Sequence, residues 1–195
     1  MVHASSASAK TLLRTALRGR RKALAAESLD AAERAAALFP LEQIAANRVV
    51  AGYRAQGREI DPGPLMRRLA AAGATLALPA AVDRDGLLGF RAYAEGDPLA
   101  PDAFGIAAPL AGAEALRPDL VIAPLLAFDR TGARIGQGGG HYDRTLAALR
   151  AEGSVFVLGL AYAGQEVAEL PTEPHDQRLN AILTERAYIE VKKDL

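Results

Sequence analysis

The chain has 195 residues, half of them hydrophobic, with 23 basic and 23 acidic side chains and no cysteine. That length and apolar content suit one domain, residues 1–195, with a real core. A formal net charge of zero argues against a nucleic-acid protein, and the lack of cysteine excludes disulfides, thiol chemistry and thiolate metal sites. His3, His141 and His175 leave little for a histidine-based zinc centre. The start, MVHASSASAK, has no apolar core of a signal peptide, and no run approaches the ~20 apolar residues of a membrane helix. The expectation is a soluble cytoplasmic monomer with no nucleic-acid or membrane partner.

Residues 1–9, rich in serine and alanine, are expected to be poorly ordered, and the rest of the first third reads as helical. Lys10, Arg14, Arg18 and Arg21 fall on one helical stripe beside an apolar stripe of Leu13, Leu17 and Leu24. Such a basic stripe is ordinarily a solvated face, but its start could instead reach a phosphate. Asp30-Ala-Ala-Glu33 resembles a capping box opening a second helix that stops before Pro40. Arg48–Tyr53 reads as a short buried strand. Asp61-Pro-Gly-Pro starts a helix over Leu65–Ala72, with Gly73 as its C-terminal cap. Thr75–Leu78 reads as a strand ended by Pro79, and Gly89–Tyr93 alternates as another. Gly96–Leu116, rich in Pro, Gly and Ala, reads as a long ordered loop with turns. Buried strands follow at Asp119–Ala123 and Val155–Ala161, and Ala181–Thr184 and Tyr188–Val191 complete the sheet. Strands alternating with helices predict one α/β domain, a three-layer sandwich around a mostly parallel sheet with a helical N-terminus. In such sheets ligands sit at the carboxyl ends of the strands. Three polar segments follow strands there: Arg54–Asp61, Asp129–Asp143 and Tyr162–Asp176.

The second of these carries the densest signal. Arg134-Ile-Gly-Gln-Gly-Gly-Gly-His-Tyr-Asp-Arg144 sets four glycines between two arginines, ahead of a helical pattern over Thr145–Arg150. Glycine lets a backbone approach an anion and turn its N–H groups inward, and the following helix adds the positive end of its dipole. Neither common glycine motif fits. The dinucleotide fingerprint needs a third glycine where His141 stands. A Walker A loop needs Gly-Lys followed by Ser or Thr, whereas the lysines are Lys10, Lys22, Lys192 and Lys193. A phosphate here must be held by arginine, backbone amides or a lysine brought from the N-terminus.

Carboxylates flank this loop. Glu59, just after a strand, is of the kind that more often faces water in a turn. Asp143 at the helix entrance complements the dipole. Beside a phosphate it calls for a bridging divalent cation, because magnesium uses one or two carboxylates with phosphate oxygens. Asp176, at the end of Pro171-Thr-Glu-Pro-His175-Asp176, is a better second ligand than His175. The residues alone give a nucleotide-phosphate and magnesium site and leave the second substrate open.

With these segments in order, the chain resembles the 5-formyltetrahydrofolate cyclo-ligases, also called 5,10-methenyltetrahydrofolate synthetases. The resemblance begins at Lys10-Thr-Leu-Leu-Arg14 and runs through Tyr53, Glu59-Ile-Asp61, Phe104-Gly-Ile and Asp119-Leu-Val-Ile-Ala-Pro-Leu-Leu-Ala-Phe-Asp129. It is strongest at Gly132-Ala-Arg-Ile-Gly-Gln-Gly-Gly-Gly-His-Tyr-Asp143 and ends at Pro174-His-Asp176 and Ile182-Leu-Thr-Glu185.

The resemblance implies ATP-dependent ring closure of 5-formyltetrahydrofolate through a phosphorylated formyl group. By position, ATP would be held by Lys10, Arg14, Arg134, Ile135, Gly136, Gln137, Gly138, Gly139, Gly140, His141 and Tyr142. The folate would meet Arg54, Glu59 and the stretch Gln137, Gly138, Gly139, Gly140 and His141. Asp143 and Asp176 would bind magnesium, and Arg134 and Lys10 would stabilise the transferring phosphoryl group. Three positions depart from the family pattern. His141 replaces a Tyr or Phe, Gly139 a lysine of some relatives, and Asn180 an aspartate. Two other classes share the bare pattern: an α/β isomerase or CoA-transferase-like protein acting without ATP, and a folate-binding homologue without catalysis.

Overall fold

Short apolar strands of period two build the centre of the molecule, so successive side chains face opposite layers. The computed structural model describes residues 3–43, 48–84 and 86–192, without the side chains of residues 3–10 and 43. The helices are α1 (His3–Glu27), α2 (Ala31–Leu38), α3 (Gly63–Ala71) and α4 (His141–Glu152). Seven strands make the main sheet: β1 (Val49–Ala51), β2 (Thr75–Ala81), β3 (Leu88–Ala92), β6 (Leu120–Pro124), β9 (Phe156–Leu160), β10 (Ala181–Leu183) and β11 (Tyr188–Glu190). Two small hairpins, β4 (Leu99–Pro101) with β5 (Ala107–Pro109) and β7 (Ala127–Phe128) with β8 (Arg134–Ile135), stand outside it.

The sheet order is β11-β10-β9-β6-β1-β2-β3. The inner strands β10, β9, β6, β1 and β2 are parallel, and β11 and β3 close the ends antiparallel. Val50, Leu78, Leu120, Ile122, Leu158 and Leu183 pack with Ala35, Phe39, Leu65 and Leu69 of the α2–α3 layer. Their neighbours Ala51, Ala77, Val121, Ala123, Val157 and Ile182 pack on Leu146 and Leu149 of α4. The three-layer α/β sandwich expected from the alternating pattern is therefore present. α1 lies over the β7–β8 hairpin, with Leu17 packed among Leu126, Ala127, Ile135 and Leu170. None of the described helices is long and apolar enough to cross a membrane.

Local differences from the expectations have physical causes. Asp30 makes no side-chain cap bond; its carboxylate pairs with Arg34 at 3.3 Å, one turn on, so the capping box does not form. Pro79 does not end β2. The pairing with β1 stops at Ala77, so a residue without an N–H is tolerated beyond it, where β2 pairs only with β3. The segment Gly96–Leu116 contains the β4–β5 hairpin, fixed by Asp102, whose Oδ1 accepts from Phe104 N at 2.8 Å and Ile106 N at 3.0 Å. Gly73, with φ +93, follows α3 as expected. α4 starts four residues earlier than its apolar pattern, at His141. The expectation of poor order at residues 1–9 falls on residues 1 and 2, outside the described residues, and on a helical backbone whose side chains are likewise outside them.

The β7–β8 hairpin turns on Asp129, which is 2 % exposed. Its Oδ1 accepts from Thr131 N, Thr131 Oγ1 and Ala133 N, and its Oδ2 from Leu170 N. Gly132 completes the turn at φ +81, and a Cβ there would stand 2.7 Å from the Leu179 carbonyl oxygen. Gly132→Ala therefore meets both a left-handed backbone and a main-chain wall, and should lose about 3 kcal/mol in urea unfolding. Gly57→Ala, at φ +61 with nothing within 4 Å, should lose only about 1 kcal/mol. Equal losses would show that the Leu179 contact is not what holds this turn.

Candidate active site

The strand order changes direction beside β1: β2 lies on one side of it and β6 on the other. A parallel sheet leaves a crevice at such a point, outside the carboxyl ends of its strands. A cavity of about 580 Å³ lies there, lined by Tyr53 and Arg54 after β1, by Pro79 and Pro124, and by the glycine loop. All three polar segments singled out in the sequence reach it: Arg54 and Glu59 from the first, Arg134–Asp143 from the second, and Glu173, His175 and Asp176 from the third.

The glycine loop is held by arginines. Arg14 Nε donates to the Gly136 carbonyl at 3.3 Å, Arg18 Nη2 to the Gln137 carbonyl at 3.2 Å, and Arg144 Nη1 to the Gly139 carbonyl at 3.0 Å. Carbonyl dipoles that would repel an anion are thus engaged by cations. Gly138 (φ +112) and Gly140 (φ +67) take backbone conformations open to glycine, and Gly140 leads directly into α4. The first N–H groups of α4 have no side-chain cap at Gly140 and lie where an anion would meet the helix dipole.

Arg134 is the buried cation of this loop. Its Nη2 donates to Asp143 Oδ1 at 2.8 Å, with the two side chains 4 % and 20 % exposed. Asp143 Oδ1 also accepts from Gln177 N at 3.0 Å, which ties the third segment to the start of α4. Arg134 Nε is buried without a hydrogen-bond partner. A buried donor left unpaired is costly.

Asp143 and Asp176, expected to share magnesium, line the same cavity. Asp143 is already paired with Arg134, so a cation would meet its other oxygen. Ligand atoms of Glu173, His175 and Asp176 lie within 4.8 Å of one another. His175 Nε2 is 3.4 Å from Glu173 and 3.7 Å from Asp176, on a side chain that remains largely exposed.

Glu59 is not a solvated turn residue. Its side chain is 6 % exposed and accepts from Arg21 Nη1 at 3.3 Å, Gln137 Nε2 at 3.2 Å and Gln56 N at 2.9 Å. Tyr53 donates to the Ile60 carbonyl at 2.5 Å, and burial, reinforced by the Glu59 charge, pushes its phenol well above the ordinary range. Burial and the same charge raise the Tyr142 phenol, against the opposing pull of Arg134. Both phenols therefore stay protonated at neutral pH.

His141 packs edge-on against Phe104, with ring centroids 4.8 Å apart. Its Nδ1 lies 3.1 Å from Arg144 Nη2, a guanidinium nitrogen that can only donate. A Cβ on Gly139 would stand 2.6 Å from His141 Cδ2, so this histidine and a side chain at 139 compete for the same space. The third departure, Asn180, extends the sheet: its Oδ1 accepts from Val157 N at 2.8 Å. Ile135 is buried core beneath the loop. Lys10 lies on α1, but its side chain is outside the described residues.

Sequence reading left Arg18 and Arg21 as members of a stripe and did not single out Glu173 as a site residue. The signal for the arginines was present in their helical spacing from Arg14. What was missing was the knowledge that α1 crosses the glycine loop, which depends on long-range packing.

Residues 6–185 match the 5-formyltetrahydrofolate cyclo-ligase family. The 5-formyltetrahydrofolate cyclo-ligase of Escherichia coli strain K12 is 33 % identical over 175 residues, covering 86 % of this chain and 96 % of that one. That of Haemophilus influenzae is 41 % identical over 98 residues, 48 % of this chain and about half, 52 %, of its own length. The solved 5,10-methenyltetrahydrofolate synthetase of Aquifex aeolicus superposes with a TM-score of 0.73 at 25 % identity, over 95 % of this chain and 94 % of that one. Extended over nearly the whole chain, and joined to the same fold, these likenesses place it: the chain belongs to the 5-formyltetrahydrofolate cyclo-ligase family of ligases.

Proposed function

We propose that this chain closes 5-formyltetrahydrofolate to 5,10-methenyltetrahydrofolate with conversion of ATP to ADP and phosphate. The observation that carries the reading is one cavity holding two unlike recognition elements. One is a glycine loop whose carbonyls are engaged by arginines, with the Arg134–Asp143 pair at its base. The other is Glu59, a buried carboxylate that can only accept hydrogen bonds. The first suits the phosphates of a nucleotide, and the second suits the N–H edge of a pterin.

A formyl group on nitrogen is amide-like and a poor electrophile. In the reaction its oxygen attacks the γ-phosphorus of ATP, forming an O–P bond as the bond to the ADP oxygen breaks. The neighbouring secondary amine then adds to the activated carbon and loses its proton, and phosphate leaves with the former formyl oxygen. No side chain need become covalently attached, so the protein's work is positioning and charge stabilisation. Arg134, fixed by Asp143, would meet the transferring phosphoryl group, with Arg14 and Lys10 on the nucleotide. The oxygen-rich set of Asp143 and Asp176, with Glu173 close to Asp176, suits magnesium, which when bound supplies charge neutralisation across the β- and γ-phosphates.

With ATP, magnesium and 5-formyltetrahydrofolate, the near-ultraviolet absorbance of the methenyl product should grow; no growth would sink the reading. Arg134→Ala or Asp143→Ala should lower kcat at least ~100-fold while folate binding, followed by calorimetry, largely survives. Equal loss of binding and turnover in both variants would contradict these roles. Glu59→Gln should instead raise KM for the folate about tenfold or more, because the amide presents donors to a donor edge. A Glu59→Gln enzyme with unchanged folate KM would remove Glu59 from the pterin site.

A further inference from the structure

Beyond the residues placed on the two substrates, α1 contributes a buried cation behind Glu59, which lines the cavity. Arg21 is 6 % exposed, seven residues after Arg14 and so two helical turns along the same stripe. Its Nη1 donates to Glu59 Oε1 at 3.3 Å and lies 3.4 Å from the Leu125 carbonyl. Its Nε is buried with no hydrogen-bond partner among the described residues. The Glu59 pair is thus the charge partner that compensates this guanidinium, and both side chains are more than nine-tenths buried.

Arg18 reinforces the arrangement through Gln137. Its Nε donates to Gln137 Oε1 at 3.2 Å. A guanidinium has no acceptor, so the amide oxygen must face Arg18 and the amide nitrogen must face Glu59, where Gln137 Nε2 sits 3.2 Å from Oε1. Glu59 Oε1 therefore receives two donors, and Oε2 receives Gln56 N. Every protein group on this carboxylate donates, so it is held as an acceptor in one orientation at the cavity wall.

We propose that Arg21 is a positioning residue for substrate recognition: acting through Glu59, it sets the selectivity of the site for a heterocycle presenting N–H donors. The inference rests on the proposed pterin contact of Glu59. A tilted carboxylate would present the wrong angle to that edge. Arg21 bonds Glu59 and the Leu125 carbonyl rather than the glycine loop itself, so its loss should weaken folate binding more than ATP binding. A salt bridge that only fastened α1 to the loop would disturb both substrates together.

The test is a double-mutant cycle read by calorimetry, titrating 5-formyltetrahydrofolate without ATP, and ATP with magnesium separately. Arg21→Met should weaken folate binding at least tenfold and change ATP binding less than twofold. Arg21→Lys, which keeps the charge but not the planar fork, should recover part of the folate affinity and guards against a folding defect of the methionine variant. In a Glu59→Gln background, Arg21→Met should add less than a twofold further loss. The same loss in both backgrounds, parallel losses for ATP and folate, or no recovery in a folded Arg21→Lys protein would overturn the proposal. A wild-type protein that binds the folate but does not turn it over would refute the proposed function, and the cycle would still decide the role of Arg21.

Discussion

A loop of four glycines has no side chains with which to hold a shape, and this constraint organises the rest of the molecule. The backbone freedom that lets Gly138 and Gly140 adopt positive φ would leave the loop disordered without outside support. The support is cationic. Guanidinium groups from α1 and α4 engage the carbonyls of Gly136, Gln137 and Gly139, and Arg134 anchors the base of the loop against Asp143. An ordinary turn could be held by any donors; the use of arginine throughout gives the loop a positive field at the same time.

That arrangement explains why α1 matters although it covers the sheet only in part. Leu13 and Leu17 seat the helix against the β7–β8 hairpin, and the neighbouring stripe then falls across the loop and onto Glu59. The same helix therefore touches the glycine loop near its middle, through Arg14 and Arg18, and Glu59 two turns after Arg14, through Arg21. The β7–β8 hairpin, clamped by Asp129 and Gly132, sets where Arg134 enters the cavity. Stability of the hairpin and geometry of the site are thus linked through a few residues.

Much of this was legible in the sequence. The alternation of apolar runs with helical stretches marked the layered α/β fold, and the glycine stretch with its arginines marked a loop that lines the cavity. Gly73 and Pro64 marked the ends of α3. What sequence reading missed was long-range or two-sided. Pro79 breaks a strand paired on both sides, but β2 is paired on one side at that point. The two-residue strands β7 and β8 are too short for any periodicity to register. Glu59 looked like a turn residue because its three donors come from positions 21, 56 and 137, which only the folded chain brings together. The sequence places Asp143 at a helix entrance, but its ion pair with Arg134, nine residues away, depends on the turn between them.

The proposed function holds that two substrates meet at the glycine loop, where the formyl oxygen takes the phosphoryl group and leaves with it as phosphate. The most direct measurement follows that oxygen. With 5-formyltetrahydrofolate carrying heavy oxygen in its formyl group, turnover by the wild-type protein should place one labelled atom in each inorganic phosphate released, as read by mass spectrometry. Unlabelled phosphate, with the heavy oxygen recovered in water or formate, would contradict the account.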